Sequence, residues 1–272
     1  QYYGGGVYIG GYINFIEPPK LHNLIIKESA AAIGGVALFN VNADMKNVDI
    51  VDNMSEGLFL RYSFPTLDHV LIARNSNGGI NSSYYYNNSD TLRLKNVTID
   101  GQSYFGHLNA MNSVFLNPGD DLQNSQGQKS ISFSYVDGGW DGDQIILTEP
   151  MLDSNYIPLS GSPLIDTGSI DSDGDGINWQ YDSDDRDPDH TRLDIGAKYF
   201  HQNSTPLLPP QNVITSPGYN SAKVEWHSPP EYAINKYYIY RDTLSTTSVL
   251  IDSVFNQNFY TDSSAMNWEN YY

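Results

Sequence analysis

The sequence predicts an all-β protein in which short parallel strands stack as a solenoid. Three observations support this class: a six-residue pattern recurs through the first half, short strand patterns introduced by glycine lie between its copies, and turn residues are abundant. The 272 residues include 23 Gly and 21 Tyr, and only 17% of them are charged. This composition is typical of β-rich globular proteins and not of helical or disordered chains.

Each copy of the pattern has an aliphatic residue, two polar or small residues, a second aliphatic residue, any residue and a final aliphatic residue. Alternation over such short runs, bounded by Gly, Asn and Asp, predicts strands and turns. A repeat of about 20 residues cannot bury its apolar face alone and must stack on its neighbours. The copies are Leu21–Ile26, Met45–Ile50, Leu67–Ile72, Leu94–Ile99 and two weaker ones, Met111–Leu116 and Ile131–Val136.

A second strand and one polar position complete each predicted coil. The second strands are Gly6–Ile9, Gly35–Leu38, Gly57–Leu60 and the weaker Gly79–Asn81. The polar residue before the central aliphatic one is expected to form a column at a bend, where an Asn can bond the next Asn and the turn backbone. An ordinary β-sandwich with accidental self-similarity is the alternative. The column residues are Asn23, Asn47, His69, Asn96 and Ser113.

A series of short motifs follows the repeats. They are Ser134–Trp140, Glu149–Met151, Tyr156–Leu159, Ser162–Gly168 and Asp187–Ala197. In this order they resemble the end segment of right-handed parallel β-helix proteins of the pectin-lyase-like type, above all exported bacterial repeat proteins. That family usually shows SPxIDxG and DPDGTRxDxGA elements, so His190 stands where Gly is expected. The resemblance implies a right-handed parallel β-helix over residues 1–200 with an acidic C-terminal closure segment.

The closure segment contains a loop with the spacing of a calcium site. Ten Asp and only two Arg lie between Asp166 and Asp194. Carboxylates at positions 1, 3, 5 and 12 and Gly176 at position 6 match a calcium loop, although Asp at position 12 is shorter than the usual Glu. We expect a structural calcium ion that pins the loop closing the last coil, and a solvated acidic loop is the alternative. The predicted ligands are Asp171, Asp173, Asp175, the Ile177 carbonyl and Asp182.

A second domain is expected beyond a Pro-rich linker at 201–209. The segments Pro210–Val213, Ala222–Trp226, Asn235–Asp242, Phe259–Asp262 and Asn270–Tyr272 have strand patterns, with Trp226 in the core. Residues 210–272 thereby resemble the start of a fibronectin type III β-sandwich. Such a domain needs about seven strands and about 100 residues, so we expect an incomplete domain and a sequence that is a fragment.

Charge and cysteine content exclude several classes of function. Asp and Glu total 32 against 14 Lys and Arg, a formal charge of -18 that argues against nucleic-acid binding. No apolar run approaches the length of a membrane span, so no membrane insertion is expected. The absence of Cys removes disulfides and thiolate chemistry. Together with the resemblance, these features predict an extracellular or cell-surface protein, and we expect a monomer.

Candidate catalytic residues do not form a recognisable site in the sequence. Lys46 and Lys95 share a repeat position, as a lyase base would need, but Asp68 occupies that position between them. Asp120 and Asp121 resemble the acid pair of a hydrolase, yet the companion motifs of polygalacturonases are absent, so these residues are interpreted as loop residues. We therefore assign no catalytic and no cofactor-binding residue.

The expected function is non-catalytic: polysaccharide binding and adhesion, or a structural stalk. Aromatic residues near loops could stack on sugar rings, or they could simply cover the coils. A polysaccharide lyase or glycoside hydrolase of the pectin-lyase-like fold, with catalytic coils partly outside this sequence, is the alternative. The aromatic residues considered are Tyr84–Tyr86, Tyr104, Phe105 and Trp140.

Overall fold

The computed structural model confirms that the protein is all-β, apart from one helical turn. It divides into two compact units, Gln1–Gln202 and Asn203–Tyr272. The structure describes residues 6–10, 17–30, 33–84, 91–124, 127–202, 210–228, 236–241, 249–255 and 257–266. Tyr85, Tyr86, Asn270–Tyr272 and most of the predicted linker lie outside the described residues.

The first unit contains twelve strands and one short helix among its described residues. Most strands have three to eight residues, as expected for a chain in which glycine and asparagine interrupt each aliphatic run. In chain order they are β1 (Val7–Gly10), β2 (Lys20–Lys27), β3 (Val36–Phe39), β4 (Asp44–Val51), β5 (Leu58–Arg61), β6 (Thr66–Ala73), β7 (Ile80–Tyr84), β8 (Thr91–Asp100), β9 (His107–Met111), β10 (Val114–Leu116), α1 (Asp121–Asn124), β11 (Lys129–Ser132) and β12 (Tyr135–Val136).

These strands form two sheets, and every strand pair in them is parallel. The smaller sheet has the order β1-β3-β5-β7, and the larger has the order β11-β9-β8-β6-β4-β2, with β10 between β8 and β12. From β1 to β8 the chain alternates between the two sheets. A strand in the interior of either sheet therefore pairs with the strand one repeat earlier and the strand one repeat later.

The register confirms the first four copies of the repeat. The first aliphatic residue of each copy pairs with the first of the next, and the last residues pair in the same way, so identical positions form straight rows across the sheet. The rows are Leu21, Met45, Leu67 and Leu94, and Ile26, Ile50, Ile72 and Ile99.

The fifth predicted copy is wrong by one residue. Leu94 pairs with Ala110, and Thr98 pairs with Val114, so this copy begins at Ala110 and not at Met111. The aliphatic pattern favoured the larger Met111, but the small side chain of Ala110 is the one that fills the inward position and is fully buried. The sixth copy returns to register, because Ile131 pairs with Ala110.

The predicted polar column exists, with Asn112 replacing Ser113. All its members have a left-handed backbone, with φ between 46° and 56°, which Asn tolerates better than most residues. The predicted bond between successive Asn side chains occurs where Asn47 Nδ2 donates to Asn23 Oδ1 at 3.2 Å. The polar members are Asn23, Asn47, His69, Asn96 and Asn112, and in the sixth copy Phe133 has the same left-handed backbone.

A second polar ladder is buried and was not predicted. Asn75 Oδ1 accepts the backbone N–H of Asn53 at 3.0 Å and its Nδ2 at 2.9 Å, and Asn53 Oδ1 accepts the N–H of Ser29 at 3.0 Å. Asn75 Nδ2 in turn donates to the carbonyl of Ile50 at 2.9 Å. These bonds satisfy backbone groups that the corner after each long strand would leave unpaired.

Strands of the larger sheet bury side chains on both faces. Val70 and Ile72 belong to the central core between the sheets, whereas the alternate residues Leu71 and Ala73 pack in a separate cluster with Tyr156 and Ala197. Because successive strand residues point to opposite faces, this second cluster lies on the outer face. The second half of β6, Val70–Ala73, is therefore continuously apolar, as in sheets covered on both sides.

Residues 150–200 supply this outer cover. Ala197 N donates to Thr98 Oγ1 at 2.9 Å, and the Tyr156 hydroxyl donates to Asp100 Oδ2 at 2.7 Å. The predicted role of this segment was to close the last coil. In the structure its contacts extend back from β10 across β8 and β6 to β4.

The second unit contains two antiparallel sheets in its described part. Trp226 is buried against Tyr237, with ring centroids 4.9 Å apart, and Val254 completes this small core. The placement of Trp226 in a core is confirmed. The sheets are β13-β14-β17 and β15-β16, with β13 (Gln211–Gly218), β14 (Ser221–His227), β15 (Lys236–Arg241), β16 (Val249–Phe255) and β17 (Phe259–Asp262).

Candidate metal site

The acidic loop is shaped by its own carboxylates. Asp171 accepts the backbone N–H of Gly174 at 2.7 Å and that of Gly176 at 3.0 Å, one with each oxygen. Gly174 and Gly176 have φ of 82° and 85°, so the turns between the Asp residues require glycine for conformation and not for space. The loop thus winds around the Asp171 carboxylate.

Local turns orient three further predicted ligands. Asp173 accepts the N–H of Asp175 at 3.1 Å, and Asp175 accepts the N–H of Ile177 at 2.7 Å. Asp182 accepts the N–H of Asp184 at 2.9 Å. Each is an Asx turn, in which a carboxylate bonds the backbone two residues on and keeps its remaining acceptor capacity.

The structure places the predicted carboxylates in two overlapping groups. Asp171, Asp173 and Asp185 each offer a carboxylate oxygen within 4.8 Å of the others, and so do Asp173, Asp175 and Asp182. Either group could hold a metal ion, and oxygen-only donor sets suit hard cations. Asp173 belongs to both. Ile177 lies in the same loop.

Asp185 was missed by the sequence analysis. It falls three residues beyond the twelve-residue spacing, so no position in that template points to it. Asp185 is fully buried. Its Oδ1 accepts the N–H of Ser172 at 2.7 Å and also the hydroxyl of Ser172. Its Oδ2 has no hydrogen-bond partner. The sequence signal that could have identified Asp185 is the dense run of acidic residues after Asp182.

The loop is anchored to the polar column of the sheet. Ser169 N donates to Asn112 Oδ1 at 2.7 Å, which ties the start of the loop to the bend between β9 and β10. Trp179 N donates to the carbonyl of Ile170 at 2.8 Å, and Arg186 Nε donates to the carbonyl of Trp179 at 2.6 Å. Fixing this loop therefore also fixes the segment that covers the sheet.

Further carboxylates close to the loop in the sequence are also buried, among them Asp187 and Asp194. Asp194 accepts the N–H groups of Asp166 and Phe200 at 2.8 and 2.7 Å, and Asp187 accepts the N–H of Asp194 at 2.7 Å. Burial raises the pKa of Asp194 to about 6, against the lowering effect of the two backbone hydrogen bonds, and the charges of Asp166 and Asp189 add to the rise. Burial and the charge of Asp194 raise the pKa of Asp187 to about 8.

One of the two lysines considered for lyase chemistry, Lys46, is paired with an acid. Lys46, Asp68 and Lys95 lie side by side on β4, β6 and β8. Lys46 Nζ lies 3.3 Å from Asp68, and His69 Nδ1 lies 2.7 Å from it. Burial opposes charge on Asp68, but the bond and charge of His69 and the charge of Lys46 outweigh it and lower the pKa of Asp68 to about 2.

The other chemical candidates are dispersed. Asp120 is exposed, and Asp121 begins α1. Phe105 lies outside the strands, as expected, but it is not available to a ligand: it is 2% exposed and packs edge-on against Phe115 in the core, with ring centroids 6.1 Å apart.

Trp140 borders an open cleft of about 620 Å³. Its ring also packs against the central core, which fixes its position. Leu147, at 81% exposure, extends the apolar side of the cleft. The lining residues are Gln123, Gly138, Gly139, Trp140, Asp141 and Leu147.

Comparison with known proteins does not indicate a function for these sites. No protein-family model, no curated protein and no solved structure matches the chain. Across the part of the chain that the structure describes, no helix has the length and apolar character needed to cross a bilayer. The functional conclusion therefore depends on the fold and on the sites themselves.

Proposed function

We propose that residues 1–200 form a right-handed parallel β-helix of the pectin-lyase-like type. Parallel strands in register, alternating between two sheets around one aliphatic core, are what stacked coils produce. Right-handed crossovers are by far the commonest between parallel strands of one sheet. Residues 210–272 belong to a fibronectin type III module in this proposal, supported by two antiparallel sheets and the buried Trp226.

The protein acts outside the cell as a non-catalytic stalk or adhesin that binds polysaccharide. The observation that carries this proposal is the covered outer face of the larger sheet, where residues 150–200 pack on β4, β6 and β8. A polysaccharide cannot lie along strands that their own chain already covers. The coils there serve as a rigid support, and binding falls to the open cleft beside Trp140.

The Trp140 cleft suits a sugar ring. An indole held against the core offers a fixed apolar face, while Asp141 and Gln123 offer hydroxyl partners. Binding to immobilised polysaccharides tests this assignment. Leu147→Ala and Asp141→Ala should each weaken retention several-fold, whereas Tyr219→Ala, an exposed aromatic of the second unit, should not. Equal retention of all variants would remove the cleft from the proposal.

The acidic loop holds a structural calcium ion in this proposal. Two groups of carboxylates converge in it, and the loop is bonded to the bend of the sheet through Ser169. An ion there would stabilise the covering segment without taking part in chemistry. Affinity on the order of 10⁻⁴–10⁻³ M, as in extracellular calcium modules, fits ligands that are mostly exposed.

Polysaccharide lyase activity is the second candidate. The observation favouring it is the row of Lys46, Asp68 and Lys95 with His69 beside it. The ion pair between Lys46 and Asp68 opposes it, because the amine that a lyase would use as its base is already engaged by a carboxylate. Incubation of the protein with uronate polymers tests this candidate. Formation of an ultraviolet-absorbing unsaturated product that is lost in Lys46→Ala or Lys95→Ala would establish a lyase.

A further inference from the structure

We propose that the acidic loop binds two calcium ions that share Asp173, and that Asp185 is the buried ligand of the inner ion. This inference rests on the proposed calcium function of the loop and deepens it. The inner site consists of Asp171, Asp173 and Asp185, and the outer site consists of Asp173, Asp175 and Asp182. Only the second of these groups lies wholly within the twelve-residue template.

The spacing of the oxygens fits one ion per group. Calcium binds oxygens at about 2.3–2.6 Å, so oxygens on opposite sides of one ion are about 5 Å apart. Within each group all three carboxylate oxygens lie within 4.8 Å of one another. Two separate groups meet this condition, and the five carboxylates are not grouped as a single set.

The burial of Asp185 and its unpartnered Oδ2 indicate that this carboxylate binds a cation. A carboxylate that is fully buried must be compensated, because desolvation of an unpaired charge is costly. Ser172 satisfies Oδ1 with two donors, but Oδ2 has none. The nearby Arg186 donates to the carbonyls of Trp179 and Gln180 and not to this carboxylate. A cation bound with Asp171 and Asp173 would complete the set.

Charge favours two ions over one. The five carboxylates carry five negative charges, so one divalent ion would leave three of them uncompensated and two ions would leave one. Asp173 can serve both sites, since an ionised carboxylate has two oxygens with about four acceptor positions. It uses one of these for the N–H of Asp175. Bridging carboxylates of this kind hold paired ions close together.

Burial predicts different affinities at the two sites. Besides the shared and exposed Asp173, the inner site has the half-buried Asp171 and the fully buried Asp185, whereas the outer site has the exposed Asp175 and the half-buried Asp182. The inner ion should therefore bind more tightly and be lost last on dilution. Native mass spectrometry and calorimetry of the full chain with calcium alone should give two ions bound in two steps.

Single substitutions separate the two sites. Asp185→Asn should remove the tighter step and leave one ion, Asp182→Asn should remove the weaker step and leave one ion, and Asp173→Asn should weaken both at least tenfold. Asp184→Asn is the matched control, an exposed aspartate of the same loop that belongs to neither group. It should still bind two ions.

The outcomes distinguish this inference from the calcium proposal itself. One ion bound by the wild-type chain, with Asp185→Asn unchanged, would overturn the two-ion site and leave the single-ion proposal standing. No ion bound at millimolar calcium would overturn both. If Asp185→Asn fails to fold, the wild-type stoichiometry and Asp182→Asn still decide the question, because each predicts a definite number of ions.

Discussion

The ammonium group of Lys198 donates to both carboxylate oxygens of Asp49, at 2.7 and 2.9 Å, across 149 positions of the sequence. This ion pair marks the far end of the segment that covers the larger sheet, because Asp49 lies on β4. The acidic loop and this contact belong to the same stretch of chain. Loosening the loop should therefore loosen the cover over β4, β6 and β8.

Calcium removal is expected to expose the covering segment. With chelator, amides of residues 150–200 should exchange with solvent at least tenfold faster, because the ions no longer compensate the acidic loop. Hydrogen exchange by mass spectrometry measures this directly. Peptides from β14 in the second unit provide the internal control and should not change. Identical exchange with calcium and with chelator would contradict a structural role for the ion.

Tyr156→Phe tests the contact between the cover and β8. The phenol of Tyr156 is buried and donates to Asp100 at 2.7 Å, so its removal should lower the free energy of unfolding of the first unit by roughly 1–2 kcal/mol. Tyr181→Phe, at 84% exposure, is the matched control and should be neutral. Hydrogen exchange of slow amides in β6 and β8 reports the change. Equal stability of the two variants would argue against the outer packing.

Asn47 tests the left-handed column. Its φ of 54° is unfavourable for a residue with a Cβ other than Asn, so Asn47→Ala should be less stable than Asn47→Gly by roughly 1 kcal/mol. Both variants lose the bond to Asn23, so their difference isolates the backbone. Exchange of amides in β4 provides the measurement. An alanine variant as stable as the glycine variant would exclude the left-handed bend.

The pKa of Asp194 predicts how stability depends on pH. Burial raises this pKa to about 6, above the ordinary 3.8. Between pH 4 and pH 6 the folded protein keeps a proton that the unfolded chain releases, so this group makes the free energy of unfolding fall as pH rises, by up to about 1.4 kcal/mol per pH unit. Above pH 6 its contribution is constant.

Asp194→Asn checks this dependence. Denaturation in chelator between pH 4 and pH 6 should show a flatter profile for the variant, whatever its absolute stability. Asp184→Asn, in the exposed loop, should keep the wild-type profile. Equal slopes for Asp194→Asn and the wild type between pH 4 and pH 6 would contradict the raised pKa.

The repeats could be predicted because inward aliphatic side chains recur at fixed positions. The same criterion failed at Ala110, where a small residue fills the inward position and the larger Met111 does not. The spacing of the sequence identified four carboxylates of the loop. Asp185 lies outside that spacing and comes close to Asp171 and Asp173 only when the chain is folded. The outer cover could not be foreseen, since Lys198 and Asp49 share no local pattern.

The distance between side chains at positions 46 and 95 tests the stacked coils most directly. Both residues pair in register with Asp68, so their backbones lie two strand spacings apart, about 10 Å. Spin labels on cysteines introduced at Lys46 and Lys95 in this cysteine-free chain should show strong dipolar broadening in continuous-wave electron paramagnetic resonance spectra. Spectra equal to the sum of the two single labels would place these strands apart and contradict the solenoid.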